Sequence, residues 1–145
     1  MKYPNADMFL QPEDDAASVN MGSDYRMPTG EDFEELISNT TRTVIDMNNV
    51  EYTGDDVYNI DYDTILKGVK IIGPNGNFIF VPYVGRINNN SVDIYNDAYF
   101  HTSGPTGEFF GDIIGRPFMI DNSGGSRHVP EAKFFGLSIR GVCSK

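Results

Sequence analysis

Four carboxylates, Asp55, Asp56, Asp61 and Asp63, fall within nine residues of one another, and such a cluster could ligate calcium. Their spacing departs from the helix-loop-helix calcium loop, which needs a glycine at its sixth position and a glutamate at its twelfth. The stretch therefore reads as a solvated acidic loop, and no metal is expected. The two histidines, His101 and His128, stand among many serines and aspartates, but no serine sits in a Gly-x-Ser-x-Gly elbow, so a Ser-His-Asp arrangement has only residue counts behind it. They read as structural or surface residues. Cys143 is the sole cysteine; it can form no intrachain bridge and has no nucleophile signature beside it. Asn39-Thr40-Thr41 and Asn89-Asn90-Ser91 match the glycosylation triplet, a pattern of low specificity. A denser signal is the group Asn88, Asn89, Asn90, Tyr95, Asn96 and Tyr99. Adaptable amides beside rigid phenol rings are the composition of binding loops, although the same residues also make ordinary turns.

Those residues must be held by two kinds of element. Pro12 suits a helix entry with acids in its first turn, giving a short helix over Glu13 to Asn20. Thr29 and Asp32 have the spacing of a capping box, and Phe33, Leu36 and Ile37 follow at i, i+3 and i+4, so a second helix should run to about Asn39. From Thr40 the β-branched run Thr41, Thr43, Val44 and Ile45 turns to strand. Val69 to Ile72 and Phe78 to Val81 flank Gly73-Pro74-Asn75-Gly76-Asn77, a hairpin with a turn longer than the minimal type. Further strands are expected at Ala98 to His101, Arg116 to Ile120 and Gly136 to Val142, with the segment from Asp46 to Thr64 a long surface loop holding a short ordered piece. The pattern is an α+β domain with two helices in front of an antiparallel sheet.

A chain of 145 residues makes one domain and can bury a core without disulfides or zinc. The net charge of −10 is uneven: residues 1 to 72 carry 15 acids and 5 bases, and residues 73 to 145 carry 6 of each. With an acidic front half and no basic stripe behind it, a nucleic-acid partner is disfavoured. The first residues hold no apolar run of signal-peptide length, and no stretch reaches the length of a membrane span. As written, the chain is expected to stay in the cytosol unless it leaves as part of a larger particle or a longer precursor.

The strings Leu10-Gln11-Pro12-Glu13-Asp14-Asp15-Ala16-Ala17, Val19-Asn20-Met21-Gly22, Tyr25-Arg26-Met27-Pro28-Thr29 and Phe33-Glu34-Glu35-Leu36-Ile37 resemble the Fibrobacter succinogenes major paralogous domain. This is a C-type-lectin-like family of Bacteroidetes surface proteins and their phages. Gly73 to Pro82 followed by Gly85-Arg86 looks like the family's hairpin, and Gly136 to Val142 like its last strand. The likeness spans about Leu10 to Val142. Where the family carries Trp, this chain has Met21, Tyr25, Arg42 and Phe100, and it has Thr40 in place of Cys.

The resemblance implies residues 1–9 as an N-terminal extension and residues 10–145 as a C-type-lectin-like domain with two helices and a twisted antiparallel sheet. In that fold the N- and C-terminal strands meet and a loop-rich region displays variable surface. It does not imply calcium-borne sugar binding, because the Glu-Pro-Asn and Gln-Pro-Asp triplets are absent, and no cofactor is implied. Together with the amide and tyrosine loops, it points to a non-enzymatic module. The expected contact surface is Asn88, Asn89, Asn90, Tyr95, Asn96, Tyr99, Asn122, Arg127 and His128. The expected setting is a phage virion, as a head-fibre, tail-fibre or capsid-decoration protein used for host attachment or receptor binding. Its partners would be other virion proteins and a host-surface glycan or protein, in a homo-oligomer. A bacterial cell-surface adhesin domain is the alternative setting, and a glycan-acting enzyme using two of the acids is a third. A decoration protein would instead bury apolar edges such as Phe109-Phe110 or Phe134-Phe135 against its neighbours.

Overall fold

The computed structural model describes residues 10–53, 67–88, 91–93, 97–104, 107–109, 112–115, 117–121, 123–129, 131–132 and 136–143. Two short helices, α1 (Ala16–Met21) and α2 (Gly30–Ser38), stand among short antiparallel strands, so the fold is mixed α+β. The strands make several small sheets rather than the one sheet expected from the sequence.

The largest sheet has four strands in the order β3 (Glu51–Tyr52), β2 (Thr41–Asp46), β4 (Lys67–Ile72) and β5 (Phe78–Pro82). Its β4-β5 pair is the hairpin read from the sequence. Gly73 N–H donates to the Asn77 carbonyl at 2.8 Å, the Asn75 side chain accepts from Asn77 N–H at 3.0 Å, and Gly76 takes the positive φ of 80° that a residue with a Cβ resists. Pro82 is tolerated because β5 is an edge strand. A three-stranded sheet follows in the order β12 (Ser126–His128), β11 (Phe118–Ile120), β8 (Ala98–Phe100). Another joins β13 (Glu131–Ala132), β10 (Asp112–Gly115) and β9 (Gly107–Phe109), while β6 (Arg86–Asn88) and β7 (Ser91–Asp93) pair as a hairpin. Finally β1 (Tyr25–Arg26) pairs with β14 (Val142–Cys143), Tyr25 opposite Cys143 and Arg26 opposite Val142.

The core lies where α2 meets the four-stranded sheet and the β12-β11-β8 sheet. Phe33 of α2 stacks on Phe118 with ring centroids 4.4 Å apart and meets Phe100 at 5.5 Å, and Val44, Val69, Ile71 and Val81 close the layer beneath them. Phe100 thus fills a core position. Arg42 is half-buried and donates to the Ser126 hydroxyl at 3.0 Å, whereas Met21 and Tyr25 are exposed.

Two expectations need correction. Helix α1 begins at Ala16 rather than Glu13, because Asp15 is the residue whose carboxylate caps it, accepting from Ala17 and Ser18 N–H. Glu13 and Asp14 lie in the preceding turn. The expected strand from Gly136 to Val142 is broken: Gly136 bridges to Ile87, Ser138 bridges to Phe100, and only Val142–Cys143 pairs regularly. Within the segment after Asp46, the short ordered piece is β3, reached through Asn49 at φ 63°; residues 54–64 of that segment lie outside the described residues.

Candidate functional site

Helix α2 borders a concave surface. Its capping box is complete: the Thr29 hydroxyl accepts from Asp32 N–H at 3.1 Å and Asp32 Oδ2 accepts from Thr29 N–H at 2.6 Å. The same carboxylate takes both Arg26 Nη atoms, at 2.5 and 2.9 Å. This forked pairing with Arg26, helped by Thr29, pulls the Asp32 carboxyl down to about 2. Since Arg26 sits in β1, the pair also ties the start of α2 to the β1-β14 closure.

Between α2, the β4-β5 turn and the C-terminal segment lies a groove of about 450 Å³, a volume typical of small-ligand and anchor-residue sites. Pro28, Phe33, Leu36, Ile79, Pro74 and Val142 give it an apolar lining, and Glu35 and Arg140 supply charge. Both charged side chains are exposed. Asp32 also borders the groove, but its oxygens are already engaged. The arrangement can desolvate an apolar group and orient it by charge.

A second polar cluster closes one end of the four-stranded sheet. Asp46 and Lys67, opposite each other on β2 and β4, are both buried. Asp46 accepts from Val50 N–H at 2.9 Å, Asn48 N–H at 2.8 Å and the Tyr52 hydroxyl at 3.0 Å. The Val50 bond leads in holding its carboxyl below the ordinary range, with the Tyr52 and Asn48 bonds and the Lys67 charge adding to it. Burial, then the bond to Asp46, pushes the Tyr52 phenol upward. The Lys67 ammonium lies 5.2 Å from the Tyr52 ring centroid. Every Asp46 contact here fixes a local turn, so the cluster reads as structural.

The surface expected from the sequence is only partly within view. Asn89, Asn90, Tyr95, Asn96 and Asn122 lie outside the described residues, and Asn88 is described only as the last backbone position of β6. Tyr99 requires correction: it is the middle residue of β8, opposite Met119, and it is buried with the Arg86 guanidinium 5.6 Å from its ring centroid. A strand flanked on both faces cannot offer that ring to a ligand. Arg127 is exposed but belongs to β12 rather than to a loop. His128, also on β12, turns toward α2. Its ring meets Phe118 edge-on at 5.4 Å, sits against Gly30, and places Nε2 3.4 Å from Glu34 Oε1. The structure therefore brings His128 to the helix. His101 is half-buried and its N–H donates to the Ser138 carbonyl. Asp55, Asp56, Asp61 and Asp63 lie outside the described residues, as do the side chains of Phe109-Phe110 and Phe134-Phe135.

The groove was not anticipated. Its one legible sign is that Leu36 and Ile79, apolar positions of a helix and a strand recognised from the sequence, leave the core only half covering them. No family model, no curated protein and no solved structure matches the chain.

Proposed function

We propose that the chain is a non-enzymatic binding and assembly module with a C-type-lectin-like fold, serving in a phage virion as a head-fibre, tail-fibre or capsid-decoration protein. The observation that carries the binding role is the groove beside α2, an apolar recess with one unengaged charge of each sign at its edge. Three aspartates in this part of the chain hold backbone, which leaves Glu35 as the unengaged carboxylate of the groove. Asp15 and Asp32 accept from backbone N–H groups at the two helix starts, and Asp121 does so from Ser123 and Gly125 in the β11-β12 turn. The lectin-like fold is supported by the β1-β14 closure, which joins residues near the two ends of the domain as the resemblance implies.

The test is quantitative mass spectrometry of purified extracellular particles against envelope and cytosolic fractions of the source culture. A constant ratio of this protein to the main coat protein is expected, and its size separates a many-copy decoration protein from a few-copy fibre. Enrichment in the cell envelope instead would refute the virion setting and favour an adhesin domain.

A further inference from the structure

The rim of the groove is an open sheet edge. Strand β5 ends the four-stranded sheet, and its register with β4 fixes which backbone groups are used inside. Tyr83 N–H donates to the Lys67 carbonyl, and Gly73 N–H to the Asn77 carbonyl. Alternation along an antiparallel ladder then directs Ile79 and Val81 toward β4 and leaves Phe78 and Phe80 with N–H and C=O pointing outward. Pro82 offers a carbonyl alone. No bond to these outward groups is found among the described residues. Phe78 is 57% exposed at the start of a strand whose Ile79, Phe80 and Pro82 are half-buried and whose Val81 is buried.

We infer that β5 docks an extended strand of a partner protein, added to the free backbone of Phe78 and Phe80, with its inward side chains seated in the groove and a basic residue against Glu35. Strand addition explains why edge and groove lie side by side. The main-chain groups supply the pairing, and alternate side chains of the incoming strand fall on the two faces. One row runs beside Ile79 toward Leu36 and Val142, and the other beside Phe78 and Phe80. The inward row must be apolar to match the lining. Charge selects the partner. The groove lies against α2, whose exposed surface carries Glu31, Glu34 and Glu35 on a chain of net charge −10. That field attracts a basic strand and opposes pairing with a second copy. Arg140, across the groove from α2, favours one direction of the incoming chain. The inference rests on the binding-module reading but not on the virion setting.

The test uses the full chain labelled with ¹⁵N and an acetylated, amidated octapeptide of alternating threonine and valine with a lysine at each end. Amide hydrogen exchange is followed by NMR. In the free protein, Phe78 and Phe80 should exchange much faster than Ile79 and Val81. Saturating peptide should slow Phe78 and Phe80 at least tenfold, whereas the same peptide N-methylated at alternate amides should not. Glu35→Lys, an exposed substitution that leaves the fold intact, should weaken the basic peptide at least fivefold. Protection of Phe78 and Phe80 in the free monomer overturns the inference, as does the absence of protection at millimolar peptide. Protection that grows with protein concentration alone would assign the edge to a second copy. Equal binding of the N-methylated peptide would make the groove a pocket for apolar groups without strand pairing. None of these results bears on where the protein sits in a particle, so failure here and failure of the virion reading are told apart.

Discussion

Replacing Asp32 by Asn removes one charge at the junction of α2 and β1 while keeping the shape of the side chain. With its carboxyl lowered from 3.8 to about 2, chiefly by the forked bonds to Arg26, each unit is about 1.4 kcal/mol, so the ceiling on the charge contribution is about 2.5 kcal/mol. Arg26 is 38% exposed and Asp32 28%, so solvent screens the pair and a working value is about 1 to 1.5 kcal/mol. The folded state holds the lower value, so this stability is fully present above the unfolded value of 3.8 and is lost as pH falls through about 2. Urea unfolding of wild type and Asp32→Asn, compared between about pH 6 and about pH 2, isolates the effect from the other carboxylates. The gap between the two proteins should be about 1 to 1.5 kcal/mol at the neutral end and should shrink toward the small residue left by the capping bond at the acid end. A gap that stays constant across the range would refute the assignment of the stabilisation to charge. Added salt at neutral pH should narrow the gap as well.

Asp15→Ala leaves the N–H groups of Ala17, Ser18 and Met27 without their buried acceptor, a loss of about 3 kcal/mol in urea unfolding, with Asp15→Asn about half as costly because one oxygen survives. Gly68→Ala places a Cβ onto the Val81 carbonyl oxygen and 2.7 Å from the Phe80 ring; a destabilisation of about 3 kcal/mol is expected, read from the thermal midpoint. Gly30→Ala puts a Cβ 2.7 Å from the His128 ring, so it should destabilise the wild type by about 1 kcal/mol but stabilise a His128→Ala background by several tenths, where helix propensity alone remains. Spectrophotometric titration of the phenols, wild type minus Tyr52→Phe, should show one tyrosine ionising above the ordinary range, because burial and Asp46 both oppose its anion.

Local signals carried the sequence reading as far as local physics reaches. The Thr29-Asp32 capping box, the Phe33, Leu36 and Ile37 face of α2, and the hairpin around Gly76 depend on residues within a few positions of each other, and each stands in the structure close to where spacing placed it. Helix α1 shows where such signals stop. Glu13, Asp14 and Asp15 could each cap a helix, and Asp15 is singled out by a bond to Met27 N–H twelve residues away. The β1-β14 pair is two residues long and joins segments more than a hundred residues apart, so it has no periodicity to detect. Tyr99 was misjudged for a related reason. It stands in the strand expected from Ala98 to His101, just after the polar run Tyr95-Asn96-Asp97, and composition grouped it with that run without showing that Met119 lies opposite and Arg86 covers its ring.

The acid excess of the front half is divided further by the fold. Part of it is consumed inside, where Asp15, Asp32, Asp46 and Asp121 each satisfy backbone N–H groups that no other group reaches. Glu31, Glu34 and Glu35 differ. They share the exposed surface of α2, at spacings of three and four residues that repel by roughly 0.2 to 0.5 kcal/mol per pair. Only Glu31 lies in the first turn, where the helix dipole offsets such a cost, and no base stands in the last turn. Of the three, Glu34 faces a histidine, with His128 Nε2 at 3.4 Å. Solubility alone could be met by acids spread around the surface. Concentrating them on the helix that borders an apolar groove and an open strand edge, with Arg140 opposite, gives a field that guides a basic extended segment inward and turns a second copy of the same acidic chain away.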